Sequence, residues 1–214
     1  MKNNFAKGCI VMLLSIMVFI GQANAEAASF TAKVMQTFAD TSIEGELFVK
    51  GNVYLFETTE TGEDISVIVN RESGMTKVLY NSREIMTEIP DTSTKSLSID
   101  PFQSFWYLLK KHSSREKGPT VVNDYKSMEV EIYGKDTVYM IAWVSKRLDW
   151  PVKIESKVGP PMEVNLKKIV EKPLGECLFN IPSNYKFMPY SEMKKGMKLE
   201  MKKEGTKVKE KTEM

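Results

Sequence analysis

Polar and apolar residues alternate with a period of two along much of this chain. From Ala28 to Phe38, the residues Phe30, Ala32, Val34, Gln36 and Phe38 fall on one side and Thr31, Lys33, Met35 and Thr37 on the other. That is the pattern of a strand with one buried face. It recurs at Ile43–Val49, Val53–Thr58, Ile65–Asn70, Met75–Tyr80 and Glu84–Ile89. Gly51-Asn52, Gly62 and Gly74 separate these runs and accept the positive φ that tight hairpin turns require. Short strands with frequent turn signals predict an antiparallel meander.

The period then changes. Asp100 and Pro101 supply a helix N-cap and a proline at the first helical position. Phe102, Phe105, Trp106 and Leu109 follow at helical spacing, widened by Leu108, and Lys110, Lys111 and His112 complement the negative end of the helix dipole. The preceding polar stretch, Asp91–Ser96, reads as a linker on which the helix can move as a flap. Ser113–Gly118 reads as a charged loop. Strands resume at Thr120–Asn123, Lys126–Tyr133, Thr137–Ser145, Val152–Val158 and Met162–Val170.

The run Thr137–Ser145 differs from its neighbours in being apolar on both sides, with Val138, Met140, Ala142 and Val144 opposite Tyr139, Ile141 and Trp143. Such a strand needs cover on two faces, and the helix is the element available to supply it. The fold class expected is mainly β (α+β). A long curved antiparallel sheet of about ten strands forms an incomplete barrel with a helical lid, because sheets of this width curl. The loop from Pro173 to Pro182 is expected to tuck Leu178, Phe179 and Ile181 inward.

The ends change the picture. Lys2 and Lys7 precede an apolar run, Cys9–Ile20, and then Ala23-Asn24-Ala25. Together they have the layout of a secretory signal peptide with a small-x-small cleavage site. Residues 1–25 are therefore expected to be a leader, 26–190 a half-barrel domain and 191–214 a Lys/Glu-rich flexible tail, with the protein placed in the periplasm. The full chain has 30 basic and 28 acidic residues, and loss of Lys2 and Lys7 with the leader leaves 28 of each. No basic excess argues for nucleic acid. Cys177 remains as a single cysteine after the leader, so no internal disulfide is expected.

Catalytic patterns are missing. The sequence has no Gly-rich phosphate loop, no Gly-x-Ser-x-Gly, no His-Glu-x-x-His and no paired cysteine spacing. His112 is the only histidine, and it already has a place at the helix end. The reading is a protein that is not an enzyme and needs no cofactor or metal. What stands out is soft and apolar: the helix aromatics, Trp143, and the methionines Met35, Met75, Met86, Met128, Met140 and Met162. Methionine adapts to irregular partners. Residue by residue these read first as the core of a β-rich domain, and a lipid pocket is built from the same residue types.

Four segments carry a family resemblance. They are Gly45–Glu57 (GELFVKGNVYLFE), Val67–Tyr80 (VIVNRESGMTKVLY), Ala142–Glu155 (AWVSKRLDWPVKIE) and Leu178–Tyr185 (LFNIPSNY). In this order, after a leader and around a helix, they resemble the LolA/LolB-like superfamily of periplasmic lipoprotein carriers over residues 28–188. The resemblance implies an incomplete barrel with a helical lid over a cavity for acyl chains. The arginine that helps close the lid in that family has Leu55 at its matching position. Asn70–Gly74 replaces the Asp-Gly turn of the next family motif. On this reading Phe102, Phe105, Trp106 and Leu109 form the lid face, and Met140 and Trp143 belong to the wall. The partners are acyl chains of lipids or lipoproteins and an inner- or outer-membrane protein, with transient membrane contact at most. The alternative is an envelope interaction or regulatory module with a fully packed core and no lipid.

Overall fold

The computed structural model describes residues 28–195, apart from Asp40 and Thr61. The expected leader, residues 1–25, lies outside the described residues, as does the part of the expected tail from residue 196 onward.

Six strands form the first half: β1 (Ser29–Phe38), β2 (Thr41–Lys50), β3 (Val53–Glu60), β4 (Glu63–Asn70), β5 (Met75–Tyr80) and β6 (Ile85–Pro90). Two helices follow, α1 (Thr94–Ile99) and α2 (Pro101–Lys111). The second half is β7 (Ser113–Val122), β8 (Tyr125–Tyr133), β9 (Val138–Ser145), β10 (Trp150–Ser156) and β11 (Met162–Glu171), with a short β12 (Lys186–Phe187). All twelve strands join one sheet in the order β12-β6-β5-β4-β3-β2-β1-β11-β10-β9-β8-β7. It is mainly β, curved and not closed into a barrel. Two meanders therefore meet at the β1–β11 ladder, which pairs Phe30 with Glu171 and Phe38 with Met162.

The concave face holds the main core. Phe30, Val34, Leu47, Val49, Phe56, Val67, Val69, Val78, Ile154 and Leu166 are all buried there beneath α1 and α2. The stretch before α2 is structured rather than a linker. Ser93 caps α1 by accepting from the Ser96 amide at 3.1 Å, and Ser96 is itself buried with its hydroxyl 3.0 Å from that of Thr76. Local capping and a buried hydroxyl pair thus hold a segment that is polar in sequence.

Ser113–Gly118 is likewise not a loop but the first half of β7. Its side chains are exposed on both faces, so no alternation marks it in the sequence. As the outer strand it carries Arg115, Lys117, Pro119 and an irregular register between Glu116 and Gly118. Such features discourage a second strand from pairing with an open edge.

The other edge is closed by the chain's C-terminal segment. Phe179, Ile181 and Tyr185 pack on a second cluster, Leu55, Ile68 and Leu79, on the convex face. Tyr185 donates to Asn81 Oδ1 at 2.9 Å, and β12 then pairs parallel with β6. Leu178, expected to turn inward, is instead exposed. Past Tyr190 the chain is still packed, since Met193 is buried in the main core.

Candidate functional site

The hollow beneath α2 is built around Trp150. The backbone turns through Asp149 at φ 48° into β10, and the register slips between Pro151 and Lys153. Trp150 is fully buried, with its ring centroid 5.0 Å from Tyr54, 5.4 Å from Phe102, 5.8 Å from Trp106 and 6.2 Å from Phe30. Most of these contacts are edge-to-face, which suits the aromatic quadrupole. Phe56 closes the group against Phe102 at 5.7 Å.

The start of α2 is anchored from below. Asp100 is buried, and its Oδ1 accepts from the amides of Phe102 at 2.9 Å and Gln103 at 3.2 Å. Its Oδ2 accepts from the Tyr54 hydroxyl at 2.5 Å, and that hydroxyl also lies 3.2 Å from Gln103 Oε1. Burial pushes the Asp100 carboxyl up to about 6, against the opposing pull of those three donors. The same burial, with Asp100 adjacent, raises the Tyr54 phenol well above its ordinary range.

At the rim, Arg71 reaches over α2 from the turn after β4. Its guanidinium carbon lies 4.7 Å from the Trp106 ring centroid and 5.7 Å from that of Trp150. Nη2 donates to Asn52 Oδ1 at 2.9 Å, and Asp149 approaches it at 3.8 Å. The indole N–H groups of Trp106 and Trp150 and Nε of Arg71 are buried with no acceptor among the described protein groups. A cation and three unmatched donors thus gather within a wall of aromatic rings.

The residues expected to line an acyl site separate into three groups. Phe102 and Phe105 are fully buried core residues. Trp106 and Leu109 are half-buried on the same helix, and Met140 is buried on the concave face of β9. Trp143 sits on the other face of β9 from Met140. It pairs with Lys153, whereas Ala142, on the other face, pairs with the buried Ile154. The Lys153 ammonium lies 4.8 Å from the Trp143 ring centroid and is itself ion-paired to Glu155 and Glu163. Alternation along β9 puts Met140 and Trp143 on opposite faces of the strand. Trp143 thus stands on the face opposite Met140 while still packing, partly buried, against the main core.

Tyr54, Arg71, Asp100 and Trp150 were not singled out from sequence. Trp150 follows a charged turn, and Arg71 sits in a turn, where both read as surface residues. The N-cap spacing of Asp100 was visible, but its burial was not. Among the described residues no group of three or more His, Cys, Asp or Glu side chains is placed to hold a metal ion. No helix of the described chain is long and apolar enough to cross a membrane.

The fold and site define a mainly β half-open barrel with helices filling its hollow. No family model matches the chain, and no curated protein matches it in sequence. Among solved structures it is similar to an uncharacterized conserved protein from Thermus thermophilus, with a TM-score of 0.54 and 8% identity over 77% of this chain and 92% of that one. This likeness is one of fold. Weaker similarity extends to MucB in the MucA/MucB complex of Pseudomonas aeruginosa, with a TM-score of 0.46, 11% identity and 77% of this chain against 59% of that one. A putative outer membrane lipoprotein-sorting protein domain from Vibrio parahaemolyticus gives a TM-score of 0.38 and 12% identity over 72% of this chain and 89% of that one.

Proposed function

We propose that this protein is a non-enzymatic periplasmic carrier or sensor that receives acyl chains of lipids or lipoproteins in the hollow beneath α2. The observation that carries the reading is the unmatched donor group at Arg71, Trp106 and Trp150 on an otherwise apolar wall. A buried donor without an acceptor costs roughly 1–3 kcal/mol. A bound acyl ester offers carbonyl oxygens to these donors and methylene groups to the wall, each buried methylene contributing about 0.8 kcal/mol. A few well-placed polar groups on an apolar surface are the usual make-up of a small-molecule site. Entry requires α2 to shift, because Phe102 and Phe105 occupy the space in the closed form. The leader-like residues 1–25 support placement outside the cytoplasm.

That full burial also favours a second reading, a partner-binding module with a permanently filled hollow. Titration of the delipidated Trp143→Phe protein with an acylated peptide and its unacylated counterpart separates the two. The carrier reading expects a saturable change in the emission of Trp106 and Trp150 with the acylated peptide alone, weakened about tenfold by Arg71→Ala. No acyl-dependent change, together with no lipid in native mass spectra of the freshly purified protein, leaves the partner module.

A further inference from the structure

Strands β10 and β11 pair only between Lys153–Ser156 and Met162–Asn165. Beyond this, β11 continues along β1 as far as Glu171, while β10 stays with β9 back to Trp150. The two strands splay, and the β7–β8 turn reaches across the gap. Asn123 and Asp124 form that turn with φ of 50° and 66°, and Asn123 Nδ2 donates to the Leu166 carbonyl at 2.7 Å. The Tyr125 hydroxyl and Arg147 Nε each donate to Glu171, both at 2.9 Å.

Beside these contacts lies an open cleft of about 750 Å³ whose lining includes Pro119, Tyr125 and Met128, with Lys126 and Lys146 beside them. The charges there do not cancel. Glu171 is taken by Arg147, and Asp124 is the other carboxylate. Neither lysine has an ion-pair partner among the described residues. None of the residues used by the site under α2 lines this cavity.

We infer that this cleft is a second site, taking a single-chain amphiphile with an anionic headgroup: the chain lies on Pro119, Tyr125 and Met128, and the headgroup meets Lys126 and Lys146. The size suits a small ligand, and the excess of positive charge selects the headgroup. The assignment rests on the acyl-binding reading for the ligand's tail and on the cleft itself for its head.

Calorimetric titration of the full chain with dodecanoate, dodecanol, dodecyltrimethylammonium and inorganic phosphate, all below micelle formation, tests it. Dodecanoate is expected to bind at least tenfold more tightly than dodecanol, with dodecyltrimethylammonium weaker still and phosphate alone failing to compete. The double variant K126E/K146E should lose at least tenfold in dodecanoate affinity, dodecanol binding should be unchanged, and Met128→Trp should weaken both. Equal binding of dodecanoate and dodecanol, or competition by phosphate alone, overturns the inference. If dodecanoate binding survives K126E/K146E but is lost in Leu109→Asp, this site falls and the α2 reading stands. If no acyl compound binds, both fall.

Discussion

The Tyr54 hydroxyl donates to Asp100 Oδ2 across 2.5 Å, joining the second residue of β3 to the cap of α2 inside the core. The helix over the hollow is therefore fixed at its first turn by a buried titratable group. The Asp100 carboxyl stands at about 6 in the folded protein against an ordinary 3.8, so the native state holds this proton more tightly than the unfolded chain. Its contribution to stability is fully present below about pH 4 and is lost as pH rises through about 6. Asparagine caps equally well but does not titrate. Between pH 4 and 7, urea unfolding should show wild-type stability falling relative to Asp100→Asn by on the order of 3 kcal/mol. In Tyr54→Phe the midpoint of that fall should move above 6, because a donor to the carboxylate is gone.

The Arg71–Trp106 contact gives a separate handle on α2. Replacing Arg71 with alanine should cost about 1–2 kcal/mol, within the range of a desolvated cation–π pair. Hydrogen exchange should speed up mainly in α2, where Trp106 loses its cover. Exchange that rises equally across the whole sheet would instead mark Arg71 as a general core residue.

The two tryptophans of the β9–β10 hairpin should respond unequally to truncation. Trp150→Ala opens a large hole among Phe30, Tyr54 and Phe102 and should cost about 3–5 kcal/mol. Trp143→Ala removes a partly exposed ring and one cation–π contact and should cost about 1 kcal/mol. Paired denaturation curves decide it, and comparable losses would contradict the face assignment.

Gly45, in the middle of β2, leaves no room for a side chain. A Cβ there would lie 2.5 Å from the Glu57 carbonyl oxygen and 2.9 Å from the Phe56 ring. Gly45→Ala forces backbone to move and should destabilise by about 1–3 kcal/mol. Thermal unfolding would measure it, and a neutral result would show that β2 and β3 separate freely at this point.

Much of the sheet was legible because one face of most strands is wet. Phe30, Val34 and Leu47 announce their burial through alternation, and Asp100-Pro101 announces the helix. Legibility failed where burial came from elsewhere in the chain. β7 touches little on either face, so its sequence reads as a loop. Phe179 and Ile181 are partly buried against Leu55, Ile68 and Leu79, which lie far earlier in the chain. Trp150 lies beside Asp149 and Arg147 and so reads as surface, although it shares the buried face of Val152 and Ile154. The donor group at Arg71 draws on the turn after β4, on α2 and on β10, whose meeting no local pattern records.

The junction of β1 with β11 bears on the order in which the chain folds. Each meander can form from neighbouring hairpins, but the ladder that unites them joins residues 29–38 to 162–171. Contacts so distant in sequence form slowly, since a long loop must close before they contribute. A chain emerging from its N-terminus thus holds β1 as a temporary open edge until Glu171 has appeared. In pulsed hydrogen exchange the amides shared by β1 and β11 should be the last to gain protection.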